Sequence, residues 1–161
     1  MEFRIREMQK RDIRHVRRIA KISWKDTYRN IIPADIQRLF LRVAYNNKSI
    51  KQQMETSYIA IAEAEQRAVG FVVYAPVSHL GVTDVRAIYL HPEFQRQGIG
   101  TAFLQHIIVK SNAREIHLNV EKRNKKAMHF YLRNGFQRQT EFDDYVLGHP
   151  LYMMKLVCVV D

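Results

Sequence analysis

The sequence is short of cysteine, of acidic residues and of long apolar runs, and each shortage excludes a class of protein. Cys158 is the only cysteine among 161 residues, so neither an intramolecular disulfide framework nor a cysteine-rich zinc module can form. No apolar stretch approaches the roughly 18 residues that a helical membrane span needs. Glu2, Arg4, Arg6 and Glu7 break up the first apolar residues, which excludes a signal-peptide core there. The seven histidines show no short ligand spacing, so no metal is expected. What remains is a reducing, cytoplasmic setting and one domain spanning 1–161, with 47% hydrophobic residues to build its core.

The scarcity of acid is uneven. Overall 26 Lys and Arg face 16 Asp and Glu, a net charge of +10. Residues 1–57 hold 14 basic and 6 acidic side chains, so +8 of that excess lies in the first third of the chain. Such a half suggests either an anionic partner or a solvated helix face.

Periodicity supplies the elements. Phe3 and Ile5 alternate with charges as in a short edge strand. From Asp12 the period lengthens: Ile13, Val16, Ala20, Ser23, Trp24 and Thr27 share one helical face, and Arg11, Arg14, Arg18, Lys21 and Lys25 share the other. Pro33 opens a second helix with Ile36, Leu39, Phe40 and Val43 on its apolar side, and a more polar third covers Ser49 to Thr56. Two β-rich runs, 58–63 and 69–77, flank Glu65-Gln66-Arg67 as a hairpin. A strand from Val82 to Leu90 ends at His91-Pro92. A glycine-bearing loop, Gln95 to Gly100, then feeds a helix with Phe103, Leu104, Ile107 and Ile108 inside. Strand 116–120, helix 124–134 and closing strands near 136–142 and 150–160 complete an α+β pattern around one sheet.

The glycine loop is the chemical centre. A helix N-terminus offers unpaired N–H groups and about half a positive charge, so it binds anions. Gly98 and Gly100 let the main chain approach a ligand closely, and Arg96 adds a cation. It is not a Walker-type loop, because no Lys follows Gly100, and Phe103 stands where a dinucleotide fingerprint needs its third glycine.

The stretch Val85-Arg86-Ala87-Ile88-Tyr89-Leu90-His91-Pro92, followed by Gln95-x-x-Gly98-x-Gly100, resembles the acetyl-CoA-binding motif of the GNAT N-acetyltransferase superfamily. A second block resembles that superfamily's following motif: Ile116 to Val120, Asn124, Ala127, Phe130-Tyr131 and Gly135-Phe136. The resemblance implies a mostly antiparallel twisted sheet of about six to seven strands with a splayed pair, flanked by helices. It implies direct transfer of the acetyl group from acetyl-CoA, the co-substrate, to a primary amine of a small molecule or peptide. In such enzymes main-chain groups around Ile88, Tyr89 and Leu90 pair with the pantetheine arm. Gln95, where the family more often has Arg, heads a loop whose Arg96, Gln97, Gly98, Gly100 and Thr101 amides hold the pyrophosphate, and Asn124 contacts the cofactor.

The same resemblance gives Tyr131 the chemistry. A departing thiolate needs a proton, and a phenol that titrates near ~10 is still protonated at neutral pH. The Leu90 amide would polarise the thioester carbonyl. For the base, Asp84 leads on the strand before the expected bulge, with Glu63 second. The early helices usually wall the acceptor site in this architecture. Trp24-x-x-Thr27-Tyr28 with Ile32-Pro33 resembles polyamine acetyltransferase-like members, although Trp24 equally fits a core. The basic half weighs against a polycationic acceptor unless acids such as Asp26, Asp35 and Glu55 cluster. Two other readings stand beside the enzyme: a basic nucleic-acid-binding module, for which no recognition motif is present, and a catalytically silent acetyl-CoA sensor. A homodimer is left open, and neither a membrane nor nucleic acid is expected as a partner.

Overall fold

Alternating apolar and charged residues form strand β1 (Phe3–Glu7), and the longer period that follows forms helix α1 (Ile13–Thr27). The computed structural model describes residues 1–161. A charged staple joins these two elements. Arg6 forks onto both Asp12 oxygens at 2.8 and 2.9 Å, and Asp12 accepts the Gln9 N–H at 2.8 Å. The inward face of α1 is Ile13, Val16, Ile19, Ala20, Ser23 and Trp24, and the stripe from Arg11 to Lys25 is exposed.

Helix α2 (Ala34–Ala44) follows Pro33 as expected, but its inward face is narrower than its composition suggests. Leu39 and Val43 are exposed, whereas Gln37 is buried. The reason is polar: the Gln37 side-chain amide donates to the Tyr28 and Ile32 carbonyls at 3.1 and 2.9 Å and turns the helix toward that loop. Helix α3 (Asn47–Thr56) starts two residues earlier than its apolar pattern, because Asn46 caps it by accepting the Ser49 N–H at 2.8 Å.

Strands β2 (Tyr58–Ala64) and β3 (Arg67–Tyr74) form the hairpin. Glu65 and Gln66 both take positive φ, 51° and 61°, which matches the twist of the flanking strands. The remaining elements are β4 (Val82–Leu90), α4 (Ile99–Ser111), β5 (Glu115–Glu121), α5 (Lys125–Arg133), β6 (Gln137–Val146) and β7 (His149–Val159). They make one seven-stranded sheet in the order β1-β2-β3-β4-β5-β7-β6. Every neighbouring pair is antiparallel except β4 and β5. No helix is long and apolar enough to cross a membrane.

Helices cover both faces. Phe103, Leu104 and Ile107 of α4 and Met128 and Tyr131 of α5 join Ala60, Ala62, Val72, Val85, Ile116 and Leu118 in the larger core. On the other face α1 and α3 pack on Ile59, Ile61, Phe71 and Val73. Fully burying one such side chain stabilises by about 1.5–3 kcal/mol, so the sheet is a rigid platform for whatever its one irregular seam carries. Trp24 caps the end of that second layer, stacked on Phe40 with ring centroids 4.4 Å apart.

Candidate active site

The seam lies between β4 and β5. They pair only through Val82 with Glu115, Thr83 with Ile116 and Asp84 with His117. Beyond Asp84 the two strands part. β4 keeps only β3 as partner, and β5 keeps β7 as far as Glu121 opposite Met153. A bulge marks the start of the opening: Val73 faces Ala87 and Tyr74 faces Val85, so Arg86 is an extra residue in β4.

The phase of the ladder decides which main-chain groups are left over. The His91 N–H donates to the Val69 carbonyl at 2.8 Å, which makes that pair a bonded one. Alternation along an antiparallel ladder then turns Tyr89 and Ala87 toward β3 and directs the N–H and C=O of Ile88 and Leu90 into the opening. Of these, the Leu90 carbonyl already has a partner, the Ser23 hydroxyl of α1 at 2.9 Å. An extended ligand carrying amides could complete the ladder with the rest, as buried backbone groups require. Gly70 of β3 keeps this strand end in place, since a Cβ there would lie 2.5 Å from a Leu90 methyl.

A second set of unpaired groups sits at one end of the opening. None of the main-chain N–H groups from Arg96 to Thr101 finds an acceptor within the protein. Arg96 and Gly98 have φ of 62° and 88°, so the chain curls and its amides converge at the N-terminus of α4. Such a concave run of N–H groups at a helix start is a cradle for phosphate-type anions. Gly100 is packed from behind: a Cβ there would meet Phe130 at 2.7 Å. Thr101 donates to the Asn134 side chain at 3.2 Å, which ties the first turn of α4 to the end of α5.

These features share one cleft of about 860 Å³. Ile88, Tyr89, Leu90, Gln95, Arg96, Gly98, Gly100, Thr101, Asn124 and Tyr131 all line it. Gln97 does not line it, and its side chain turns back to the Glu93 carbonyl at 3.3 Å. Asn124 caps α5 by accepting the Ala127 N–H at 3.3 Å, and its own amide N–H groups remain available to the cleft. Arg96, Lys126 and Arg133 also line it and add positive charge beside the amide cradle. Lys126 is steered by a 3.3 Å bond to Gln95.

Tyr131 is 6% exposed and sits edge-on to Phe130 and Phe136. Burial, with a smaller contribution from Tyr28, raises its phenol above the usual tyrosine range. It is therefore a proton-carrying group at neutral pH, facing the opening.

The expected bases lie elsewhere. Asp84 is exposed and does not line the cleft, because it precedes the bulge in the stretch where β4 and β5 are still paired. Its carbonyl is taken by the Ala75 N–H at 2.8 Å. Glu63 is claimed by Arg6 at 2.9 Å and Arg4 at 3.0 Å, and those hydrogen bonds hold its carboxyl low. Asp35 and Glu55 are exposed on α2 and α3 and do not meet Asp26 in the cleft.

Two other carboxylates do line it. Asp26 comes from α1, and Glu121, which the sequence pattern gave no reason to choose, ends β5. Burial would raise the Glu121 carboxyl. Arg123, bonded at 2.8 and 2.9 Å, and the Arg123 and Tyr152 N–H groups outweigh that and hold it below the usual range. Of the early helices, only α1 reaches the cleft, through Ser23, Asp26 and Thr27, with Tyr28 just after it. No group of three or more His, Cys, Asp or Glu side chains is arranged to hold a metal ion.

The sequence profile of the acetyltransferase (GNAT) family matches residues 16–136. A spermidine N(1)-acetyltransferase of Thermoplasma acidophilum is 25% identical over 157 residues, 91% of this chain and 96% of the relative. The peptidyl-lysine N-acetyltransferase YjaB of Escherichia coli is 30% identical over 104 residues, 63% of each chain. Among solved structures, the PaiA N-acetyltransferase of Thermoplasma acidophilum in complex with coenzyme A superposes with a TM-score of 0.84 at 22% identity, covering 99% of this chain and 100% of that one.

Proposed function

This chain belongs to the acetyltransferase (GNAT) family, and on that premise we propose that its cleft seats acetyl-CoA along the β4 edge and passes the acetyl group to a primary amine. The observation that carries the proposal is the pairing of two unsatisfied main-chain sets in one cleft: the opened edge at Ile88 and Leu90, and the free amides from Arg96 to Thr101. They match, in order, an amide-bearing arm and a pyrophosphate. Arg96, Lys126 and Arg133 supply countercharge for the phosphates, and the free amide of Asn124 bonds the arm.

Bound acetyl-CoA supplies an activated thioester. The Leu90 N–H aims at the thioester oxygen, where negative charge grows as the amine attacks, and a fixed donor there lowers the barrier. Ser23 holds the Leu90 carbonyl and with it the orientation of that peptide. The C–N bond forms first; as the adduct collapses the C–S bond breaks, Tyr131 gives its proton to the departing sulfur, and the second proton that the nitrogen loses returns through water to Tyr131. The amine must arrive neutral, so its proton passes to water in the cleft. We assign no such role to Asp84, which does not line the cleft.

One relative is named for a polyamine and another for a lysine side chain, which supports a primary amine as the acceptor. A cytoplasmic setting fits a chain whose single Cys158 needs no oxidising compartment. Calorimetric titration with coenzyme A tests the seat. Micromolar or tighter binding that weakens when Arg96 and Arg133 are both changed to Gln is expected. Absence of binding overturns it.

A further inference from the structure

Asp26 is a carboxylate without a partner in a chain rich in cations. It lines the cleft, is half-buried, and has no Lys, Arg or His nitrogen within 4.0 Å and no hydrogen bond. It also occupies the last turn of α1, where the negative end of the helix dipole disfavours an acid. Local stability therefore does not account for its presence.

Its position relative to the reaction is fixed by the helix. Ser23, three residues earlier on the same face, bonds the Leu90 carbonyl at 2.9 Å. Three residues advance an α-helix by about 4.5 Å, so Asp26 stands about one turn from the strand end where the thioester is placed. The other cleft acid, Glu121, has both oxygens engaged by Arg123 and the Tyr152 N–H. Arg86 is tied to the Ser57 hydroxyl. Arg96, Lys126 and Arg133 belong to the glycine loop and α5. Asp26 is thus the cleft's free anion.

Resting on the function proposed above, we infer that Asp26 is the acceptor-recognition residue. It pairs with a second cationic group that the acceptor carries besides the amine it presents, and the acceptor class is a diamine or polyamine. The net charge of +10 does not oppose this. Lys25 beside it and the rest of the basic stripe of α1 are exposed, where water and salt screen them, whereas a contact with the half-buried Asp26 inside the cleft is screened much less.

The test compares kcat/KM for putrescine and butylamine, which differ by one terminal ammonium, with spermidine and a lysine-containing peptide as further arms. The wild-type protein should prefer putrescine over butylamine by about tenfold, the worth of one charged hydrogen bond. Asp26→Asn should bring that ratio near unity through KM rather than kcat, and Asp26→Glu should restore most of it. Coenzyme A affinity measured by calorimetry should be the same in all three proteins, which shows that the cleft is intact. A preference that survives Asp26→Asn, an equal loss for both amines, or a peptide preferred over every diamine overturns the inference alone. Coenzyme A binding without turnover of any amine overturns the proposed function and the inference with it.

Discussion

Replacing Gly100 by alanine places a Cβ 2.7 Å from Cζ and 3.0 Å from Cε1 of Phe130. Carbon atoms rest at about 3.5–4.0 Å, so the ring must retreat by close to 1 Å. It has little room, because it packs edge-on against Tyr131 with centroids 5.1 Å apart. Overpacking of this kind costs about 1–3 kcal/mol, offset by less than about 1 kcal/mol from the better helix propensity of alanine. A net loss of about 1–2 kcal/mol is expected, and for a chain this long each kcal/mol lowers Tm by about 2–4 °C. Gly98 provides the contrast. A Cβ there meets nothing within 4 Å, and only its φ of 88° is at stake. Gly98→Ala should cost about 1 kcal/mol of backbone strain and leave Phe130 and Tyr131 in place. Urea unfolding, calorimetry with coenzyme A and steady-state rates measured on both variants separate the two effects. Gly100→Ala should lose stability, coenzyme A affinity and kcat together, and Phe130→Leu in the same chain should return part of the loss. Wild-type stability and turnover in Gly100→Ala would refute the packing argument.

Tyr131→Phe should lower kcat by roughly 10²-fold or more while coenzyme A affinity changes little, read by thiol release and calorimetry; equal rates in the two proteins remove Tyr131 as the acid. Asp12→Asn should destabilise by about 3 kcal/mol, because Arg6 loses the fully buried half of its ion pair. Burial would raise the Asp12 carboxyl, but Arg6 and the Gln9 N–H hold it lower. Its stabilisation is therefore complete above the ordinary value near ~3.9 and is lost as pH falls through the lower folded value. Urea midpoints measured from pH 6 downward should fall less steeply in Asp12→Asn than in the wild type. Gln66→Gly should raise stability by about 0.5–1 kcal/mol, since Gln66 holds a φ of 61° in the hairpin turn; an unchanged urea midpoint contradicts that.

Local signals carried most of the architecture. The edge strand, the basic helix, the turn at Glu65-Gln66 and the strand ending at Leu90 all follow from periodicity and punctuation within about ten residues. The amide cradle was legible for the same reason, because a glycine-bearing loop before a helix dictates its own chemistry. What escaped was set by contacts distant in sequence. Glu63 looked free but is held by Arg4 and Arg6, 59 and 57 residues away. Ser23 pins Leu90 across 67 residues, and Glu121 needs Tyr152 as well as its neighbour Arg123. Asp84 depends on where β4 and β5 part, and its pairing with His117 of β5 puts it on the closed side of the opening. On α2, two hydrogen bonds from Gln37 overrode the apolar count and left Leu39 and Val43 exposed.

The central claim is that the opened β4 edge and the amide cradle serve one transfer reaction. The most direct measurement follows free thiol and acetylated amine together, from acetyl-CoA and a panel of primary amines. The account predicts that thiol and acetylated amine appear in equal amounts with at least one acceptor, and that coenzyme A competes with acetyl-CoA. Thiol release without acetylated product, or no release with any amine, contradicts it.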